Sequence, residues 1–359
     1  MRVCRARVLV SSAVALLLLL LCSLLLLLMA ADTPDASQIK PAHVVASPET
    51  AITPTMQQRV ITLTEGCSKE PSAGATGNEL LSSNDFTVKA MRADTQRQGY
   101  QYLAHALNLL NHIIVDDKHK ALYCYVPKVA CTNWKRLMMI LSGSTNQTDP
   151  LRIPADSVHR QHALTKLDSF APAEIVNRLQ SYKKFLFVRD PLERLLSAFR
   201  NKFEKNYASS AYFKRRFGVK IQRLFRRGED SLNVSPTGDG TTFAEFVSYL
   251  VLISQQKPDA LNEHWAPVVQ LCQPCLVRYD YIGKYESLDK DSAAILTSLE
   301  APPGLTIPAA KPSVTSSLLP EYLAGLTPTQ RLQLQQVFAD DIVLFGYSYR
   351  DHHGRTLEP

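Results

Sequence analysis

Residues 122–142 read LYCYVPKVACTNWKRLMMILS, and the fold turns on how this stretch divides. Leu122–Val126 is a short run of apolar, aromatic and branched residues, the pattern of a buried strand. Pro127 ends it, because proline has no N–H to give a neighbouring strand. Trp134, Leu137, Met138 and Leu141 then recur at the spacing of one helical face. Thr132 or Asn133 is placed to cap that helix and Gly143 to end it. Strand, basic loop and helix N-terminus in succession aim backbone N–H groups, the positive end of the helix dipole and Lys128 at one spot. Such a spot suits a phosphate or sulfate ester. The glycines and Lys-Ser/Thr pair of a Walker loop are absent from PKVACTNWK.

A second strand pattern, Phe185–Val188, runs into Arg189-Asp190-Pro191. Asp190 is expected at the N-cap, Pro191 at the first helical position and Glu193 at the third, a capping-box arrangement. Leu192, Leu195, Leu196, Phe199 and Phe203 form the buried face of this helix. Arg189 stands at the carboxyl end of its strand, with Ser197 on the following helix. Open α/β sheets bind ligands at that edge.

PKVACTNWKR and FLFVRDPLERLLSAFRNKF resemble the 5′-phosphosulfate and 3′-phosphate motifs of Golgi carbohydrate sulfotransferases. The similarity is narrower still to the chondroitin/dermatan 4-O-sulfotransferase and HNK-1 sulfotransferase branch. It runs from about Ile113 to Tyr349 and includes NEHW (Asn262–Trp265), CQPC (Cys272–Cys275), YDYIGKYESL and VLFGY. The resemblance implies an α/β fold with a P-loop-like parallel sheet flanked by helices, and 3′-phosphoadenylyl sulfate (PAPS) as sulfate donor. It assigns the donor's 5′ end to Pro127, Lys128, Val129, Ala130, Cys131, Thr132 and Asn133. It assigns the 3′-phosphate to Arg189, Asp190, Pro191, Leu192, Glu193, Arg194, Leu195, Leu196 and Ser197. Arg194 nevertheless reads as a solvated helix residue. No metal-ligand cluster is visible in the sequence.

An apolar content of 45% in 359 residues supplies one sizeable domain with extensions. Residues 8–31 carry no charge and would span about 36 Å as a helix, enough for a hydrocarbon core of roughly 30 Å. Arg2, Arg5 and Arg7 precede them, so the expected topology is a single-pass type II signal-anchor in the Golgi membrane. A cleaved signal peptide ending near Ala31 would have an unusually long apolar core. The expected order is a cytoplasmic tail at 1–7, the span at 8–31, a flexible lumenal stem at 32–105, the catalytic domain at 106–350 and a tail at 351–359. Within it, Gln101–Asn111 reads as a helix, with Tyr102, Leu103, Ala106, Leu107 and Leu110 on one side.

Five cysteines follow the anchor: Cys67, Cys124, Cys131, Cys272 and Cys275. An odd number leaves one unpaired or engaged between chains. Cys272-Gln-Pro-Cys275 reads as a local disulfide, a redox pair, half a zinc site or plain buried thiols; the lack of a second such pair counts against zinc. Asn146 and Asn233 match the glycosylation sequon, the second weakened by Pro236.

Sulfuryl transfer must stabilise charge on a phosphate leaving oxygen and remove a proton from an alcohol. Lys128 suits the first task, and Arg189 with Ser197 suits a 3′-phosphate. A histidine is the default for the proton. His159 and His162 lie between the two motifs, where related glycosaminoglycan sulfotransferases place their base; His159 is the expected base and His264, beside Glu263, the alternative. Between Lys202 and Arg227 there are nine Lys or Arg and one acid, Glu204, interleaved with aromatics. With a net charge of +7 this would suit nucleic acid in a nuclear protein, but behind a membrane anchor the available polyanion is a glycosaminoglycan. The leading expectation is transfer of sulfate from PAPS to O-4 of N-acetylgalactosamine in chondroitin or dermatan. HNK-1-type transfer to glucuronic acid, and a catalytically silent glycosaminoglycan binder, are the alternatives.

Overall fold

The computed structural model describes residues 54–68, 96–309, 314–350 and 356–357. The expected tail and span at 1–31 lie outside them. Among the described residues no helix is long and apolar enough to cross a membrane.

Four strands form the central sheet in the order β1 (Ile113–Asp116), β2 (Ala121–Cys124), β3 (Lys183–Val188) and β4 (Tyr281–Lys284). β2, β3 and β4 run parallel, whereas β1 pairs antiparallel with β2. The parallel sheet expected from the sequence therefore carries one antiparallel edge. A short turn permits it, in which Lys120 takes a positive φ and buried Asp116 accepts the Lys118 and His119 amides. β1 and β2 are buried throughout, as near-continuous apolar strands require. Gly283 on β4 lies against the Phe187 ring of β3, and a Cβ there would stand 2.2 Å from it.

The helices that matter for the site are α1 (Pro54–Ser68), α2 (Gln96–His105), α3 (Cys131–Leu141), α4 (Pro172–Ser181), α5 (Pro191–Phe199) and α6 (Ala208–Phe213). One apolar cluster joins α1 to α4 with the sheet; a second joins α5 and α6 to Phe243–Gln256, Trp265 and the C-terminal helices. α5 belongs to the second cluster through Leu192, Leu195, Leu196 and Phe199, while β3, which feeds it, belongs to the first.

Two helices inside the stretch read as stem are part of the domain. Met56, Val60, Leu63 and Cys67 recur at helical spacing and pack on the sheet core, and so do Tyr100, Leu103 and Ala104 of α2. Surrounding polar composition hid the first pattern. The expected helix 101–111 is displaced: α2 ends at His105, and Leu107–Leu110 is a separate 3₁₀ turn.

CQPC is not a local bridge. Cys272 pairs with Cys124 at the end of β2, and Cys275 pairs with Cys67 at the end of α1. Gln273 between them adopts a left-handed conformation and turns the two thiols toward different elements. Cys131 is the free cysteine among the described residues.

The basic stretch 202–227 is helical but not uniformly solvated. Lys202 and Lys214 are buried, and Lys214 pairs with Asp239 at 2.8 Å and Asn206 at 2.8 Å. The Gly238 backbone, at φ +77°, comes so close to Lys214 that a Cβ would meet its carbonyl oxygen. Arg215, Arg216, Lys220, Arg223 and Arg227 remain exposed. Both sequon asparagines are exposed as well.

Arg59 of α1 donates to Asp291 at 2.5 Å, to the Ile282 carbonyl of β4 at 3.0 Å and to Ser287 at 3.2 Å. Asp291 is 1% exposed, so losing Arg59 leaves a buried carboxylate without its cation. Arg59→Ala should cost about 3 kcal/mol or more in urea-induced unfolding. A change within about 0.5 kcal/mol would mean that the Arg59–Asp291 pair does not help hold α1 to the domain.

Candidate active site

The loop after β2 departs from ordinary backbone geometry at two residues. Lys128 has φ +73° and Ala130 φ +55°, left-handed values that cost a non-glycine residue roughly 1–2 kcal/mol each. Val129 between them is buried in the sheet core and anchors the loop. Because Ala130 is the N-cap, Thr132 and Asn133 fall inside the first turn of α3 and do not cap it, contrary to the sequence expectation. Thr132 Oγ1 lies 3.1 Å from His159 Nε2, and the Asn133 amide donates to the Pro308 carbonyl at 3.1 Å. No side chain caps this helix end; the Asn133 and Trp134 amides donate to the Ala130 carbonyl, which leaves those of Cys131 and Thr132 at the cavity beside Lys128. Gly143 does end the helix, donating to the Ile140 carbonyl at 3.2 Å.

On the neighbouring strand, Asp190 caps α5 as expected, accepting from Leu192 N at 3.1 Å and Glu193 N at 3.0 Å. Glu193 also receives Arg189 Nη2 at 3.2 Å, and the Arg189 guanidinium lies 4.4 Å from the Tyr285 ring. Carboxylate and ring together hold this arginine at the cavity wall.

Arg194 is the largest correction to the sequence reading. It is 1% exposed, and its guanidinium donates to three carbonyls: Pro127 at 3.0 Å, Ala266 at 2.7 Å and Glu263 at 3.1 Å. Burial pulls it down to about 10 and pushes nearby Asp341, which accepts from the Val268 and Val269 amides, up to about 6. Both are charged at neutral pH. Arg194 is thus a brace that fastens the Lys128 loop and the 262–266 segment to α5. Its place on the apolar face of α5, between Leu192 and Leu195, is hard to read because helical periodicity favours the solvent side for a charge.

A cavity of about 560 Å³ collects the site. Pro127, Lys128, Ala130, Cys131, Thr132 and Asn133 line it from the first motif, Arg189 and Ser197 from the second, and His159 and His264 from elsewhere. Val129, Asp190, Pro191, Leu192, Glu193, Arg194, Leu195 and Leu196 do not; they cap, brace or pack the elements behind it. His162 is exposed and outside. Lys202, Lys205 and Tyr207 line the cavity from the basic stretch expected to meet glycosaminoglycan, whereas the sequence reading does not single out Arg200, Asn201, Tyr285, Val314 and Thr315. The Arg200–Glu204 segment is a π-helical turn following α5, and Lys202, within it, stands at the cavity wall.

The cavity is electropositive. Burial lowers Lys128 to about 8, helped chiefly by the charge of Lys202 and then by Arg189 and Arg194. His159 is lowered by burial and by Lys135. His264 falls to about 2 through burial, Lys202 and Lys128. The oxygen of Asn262 accepts both the His264 amide at 3.1 Å and its ring Nδ1 at 2.8 Å, so Nδ1 carries the proton and Nε2 is left as the acceptor. Both imidazoles are neutral at pH 7.

Residues 111–348 match the model of the sulfotransferase family. The chain belongs to that family. It is 43% identical to carbohydrate sulfotransferase 11 of Rattus norvegicus over 67% of this chain and 68% of the relative. It is 49% identical to carbohydrate sulfotransferase 14 of Mus musculus, over 56% and 50%, and 41% identical to carbohydrate sulfotransferase 12 of Mus musculus, over 66% and 60%. No solved structure matches the chain. The protein is therefore a sulfotransferase acting on carbohydrate, and the family implies PAPS as its donor. The site fits such a donor: Lys128 has no anionic partner among the described residues and faces the same cavity as Arg189 and Ser197. Among the described residues no group of His, Cys, Asp or Glu is arranged to hold a metal ion.

If Arg194 is a brace, Arg194→Lys should leave at least one of its three buried carbonyls unpaired, at about 1–3 kcal/mol each. Thermal unfolding should report that loss. Affinity for adenosine 3′,5′-bisphosphate should fall with it, since Pro127 is the residue next to Lys128. Wild-type stability in this variant would show that the guanidinium is not the brace.

Proposed function

We propose that this sulfotransferase moves the sulfuryl group of PAPS to O-4 of N-acetylgalactosamine in chondroitin or dermatan. The observation that carries the reading is the convergence of Lys128, Arg189, Ser197, His159 and His264 on one cavity. A protein that only bound glycosaminoglycan would have no use for both phosphate sites. The choice of acceptor is supported by the motif wording shared with the chondroitin/dermatan 4-O-sulfotransferase branch and by the cationic wall.

In the reaction the acceptor oxygen forms a bond to sulfur while the bond from sulfur to the 5′-phosphate oxygen breaks. The hydroxyl proton passes to His159, and the electron pair of the broken bond stays on the phosphate. Lys128 and the first-turn amides of α3 face that developing charge. Arg189 and Ser197 hold the 3′-phosphate and so fix the donor's position. His264, neutral and fixed by Asn262, serves as a hydrogen-bond acceptor near the acceptor sugar. We place the enzyme in the Golgi lumen, held by an anchor at 8–31 and glycosylated at Asn146 and Asn233, as the uncharged run and the exposed sequons favour.

Labelled sulfate transfer by the full chain to desulfated chondroitin and dermatan, followed by disaccharide analysis, tests the acceptor. The expected product is 4-O-sulfated N-acetylgalactosamine. Label on the uronic acid would favour the HNK-1-type reading, and bisphosphate binding without transfer to any sugar would favour a silent binder.

The pH profile tests the roles. Lys128 is lowered, so its charge is full below about pH 8 and lost as pH rises through that value. The kcat/KM for PAPS should therefore fall above about pH 8, and Lys128→Arg should remove that limb. His159 is lowered too, so its base form persists to below its ordinary value near 6.5, and an acid limb should appear only there. His159→Ala should cost about a hundred- to ten-thousandfold in kcat and abolish the acid limb. Retention of that limb in His159→Ala, and its loss in His264→Ala, would exchange the two assignments.

A further inference from the structure

Although the Glu263 carboxylate acts on it from farther off, Lys202 is a buried cation with no direct ion pair among the described residues. It is 7% exposed, lines the cavity, and its ammonium lies 4.1 Å from the centre of the Phe213 ring. No hydrogen bond or ion pair is formed to it among the described residues. Apart from Lys128, the cations around it are matched: Arg189 with Glu193, Arg200 with Glu204 at 3.1 Å, and Lys214 with Asp239. A desolvated ammonium that touches a ring face and no carboxylate is costly and calls for an anion in direct contact.

The donor's phosphates have cations of their own, Lys128 and Arg189. Lys202 lies beyond Ser197 in the chain, within the π turn, and lines the cavity together with Lys205 and the 55%-exposed Tyr207. Lys205 and Tyr207 are both exposed, so a polymer can reach the cavity along them. Phe213, which carries Lys202 on its face, also meets the His264 ring edge-on at 5.0 Å. The charge of Lys202 is also the largest influence, after burial, in depressing both Lys128 and His264, which sets it beside the reacting groups.

In chondroitin and dermatan every hexosamine adjoins a uronic acid, so a carboxylate arrives within one sugar of the reacting hydroxyl. We propose that Lys202 binds the carboxylate of the uronic acid next to the reacting hexosamine, and thereby restricts the enzyme to uronate-bearing polymers. This rests on the acceptor reading given above. Phe213 fixes the ammonium before the polymer arrives, so the lysine loses little freedom on binding.

The test pairs Lys202→Met with chemical removal of its partner. Wild-type and variant full-length enzymes would be assayed on desulfated chondroitin and on the same polymer with its carboxylates reduced to primary alcohols. Wild type should lose about ten- to a hundredfold in kcat/KM on carboxyl reduction, the usual worth of a charge-assisted contact. Lys202→Met should show that loss on the native polymer and no further loss on the reduced one. Lys202→Arg should regain part of the preference, and cooperative thermal unfolding of all three forms shows that they fold. A variant that still discriminates between the polymers, or a wild type indifferent to carboxyl reduction, would overturn the assignment while leaving the acceptor reading intact. Failure of wild type to sulfate either polymer would overturn both.

Discussion

The site depends on one buried guanidinium. Arg194 has no water to solvate it, so its N–H groups must find protein acceptors, and they find the carbonyls of Pro127, Glu263 and Ala266. Those carbonyls come from the loop after β2 and from the segment ahead of β4, which are distant in sequence. Fixing both to α5 sets Lys128 opposite Arg189 and brings His264 to the same wall. The strained left-handed residues Lys128 and Ala130 are tolerable because this brace on one side and buried Val129 on the other define the loop.

The second constraint is electrostatic. Lys128, Lys202, His159 and His264 are all held below their ordinary values by burial; other cations add to the effect at Lys128, His159 and His264, whereas the Glu263 carboxylate opposes it at Lys202. Without ligand, the cavity stores repulsion and desolvation that cost stability. A polyanionic donor removes both at once, because its charges enter a wall already arranged to receive them. Neutral histidines gain from the same field: an imidazole kept unprotonated by neighbouring cations is ready to take a proton at pH 7.

Much of this was legible in the residues. The strand, loop and helix of 122–142 and the Asp190-capped helix were set by local rules, namely apolar periodicity, proline's missing N–H and carboxylate capping, which act over a few residues. Lys128, Arg189 and Ser197 stand on those elements, whereas His159, in the linker between them, was singled out by resemblance to related glycosaminoglycan sulfotransferases. The illegible parts are long-range. Nothing near Arg194 reveals that three carbonyls await it, and Met56, Val60 and Leu63 carry a helical pattern too short and too isolated to be separated from a polar stem. The pairing of Cys272 with Cys124 and of Cys275 with Cys67 depends on the chain path, as does the burial of Lys202 by Phe213. A π turn shifts the register of a helix face, and no apolar pattern announced the one at Arg200–Glu204.

The central claim is that buried, mutually repelling cations are poised for an anionic nucleotide. Calorimetric titration of adenosine 3′,5′-bisphosphate at pH 8, in buffers of different ionisation enthalpy, tests it most directly. Lys128 stands at about 8 in the free protein, so near half of it lacks a proton at that pH. An anion beside it raises its affinity for the proton, and binding should take up on the order of half a proton per site. Lys128→Ala should bind more weakly and without that uptake. Tight binding by the wild-type protein with no proton uptake at pH 8 would contradict the account.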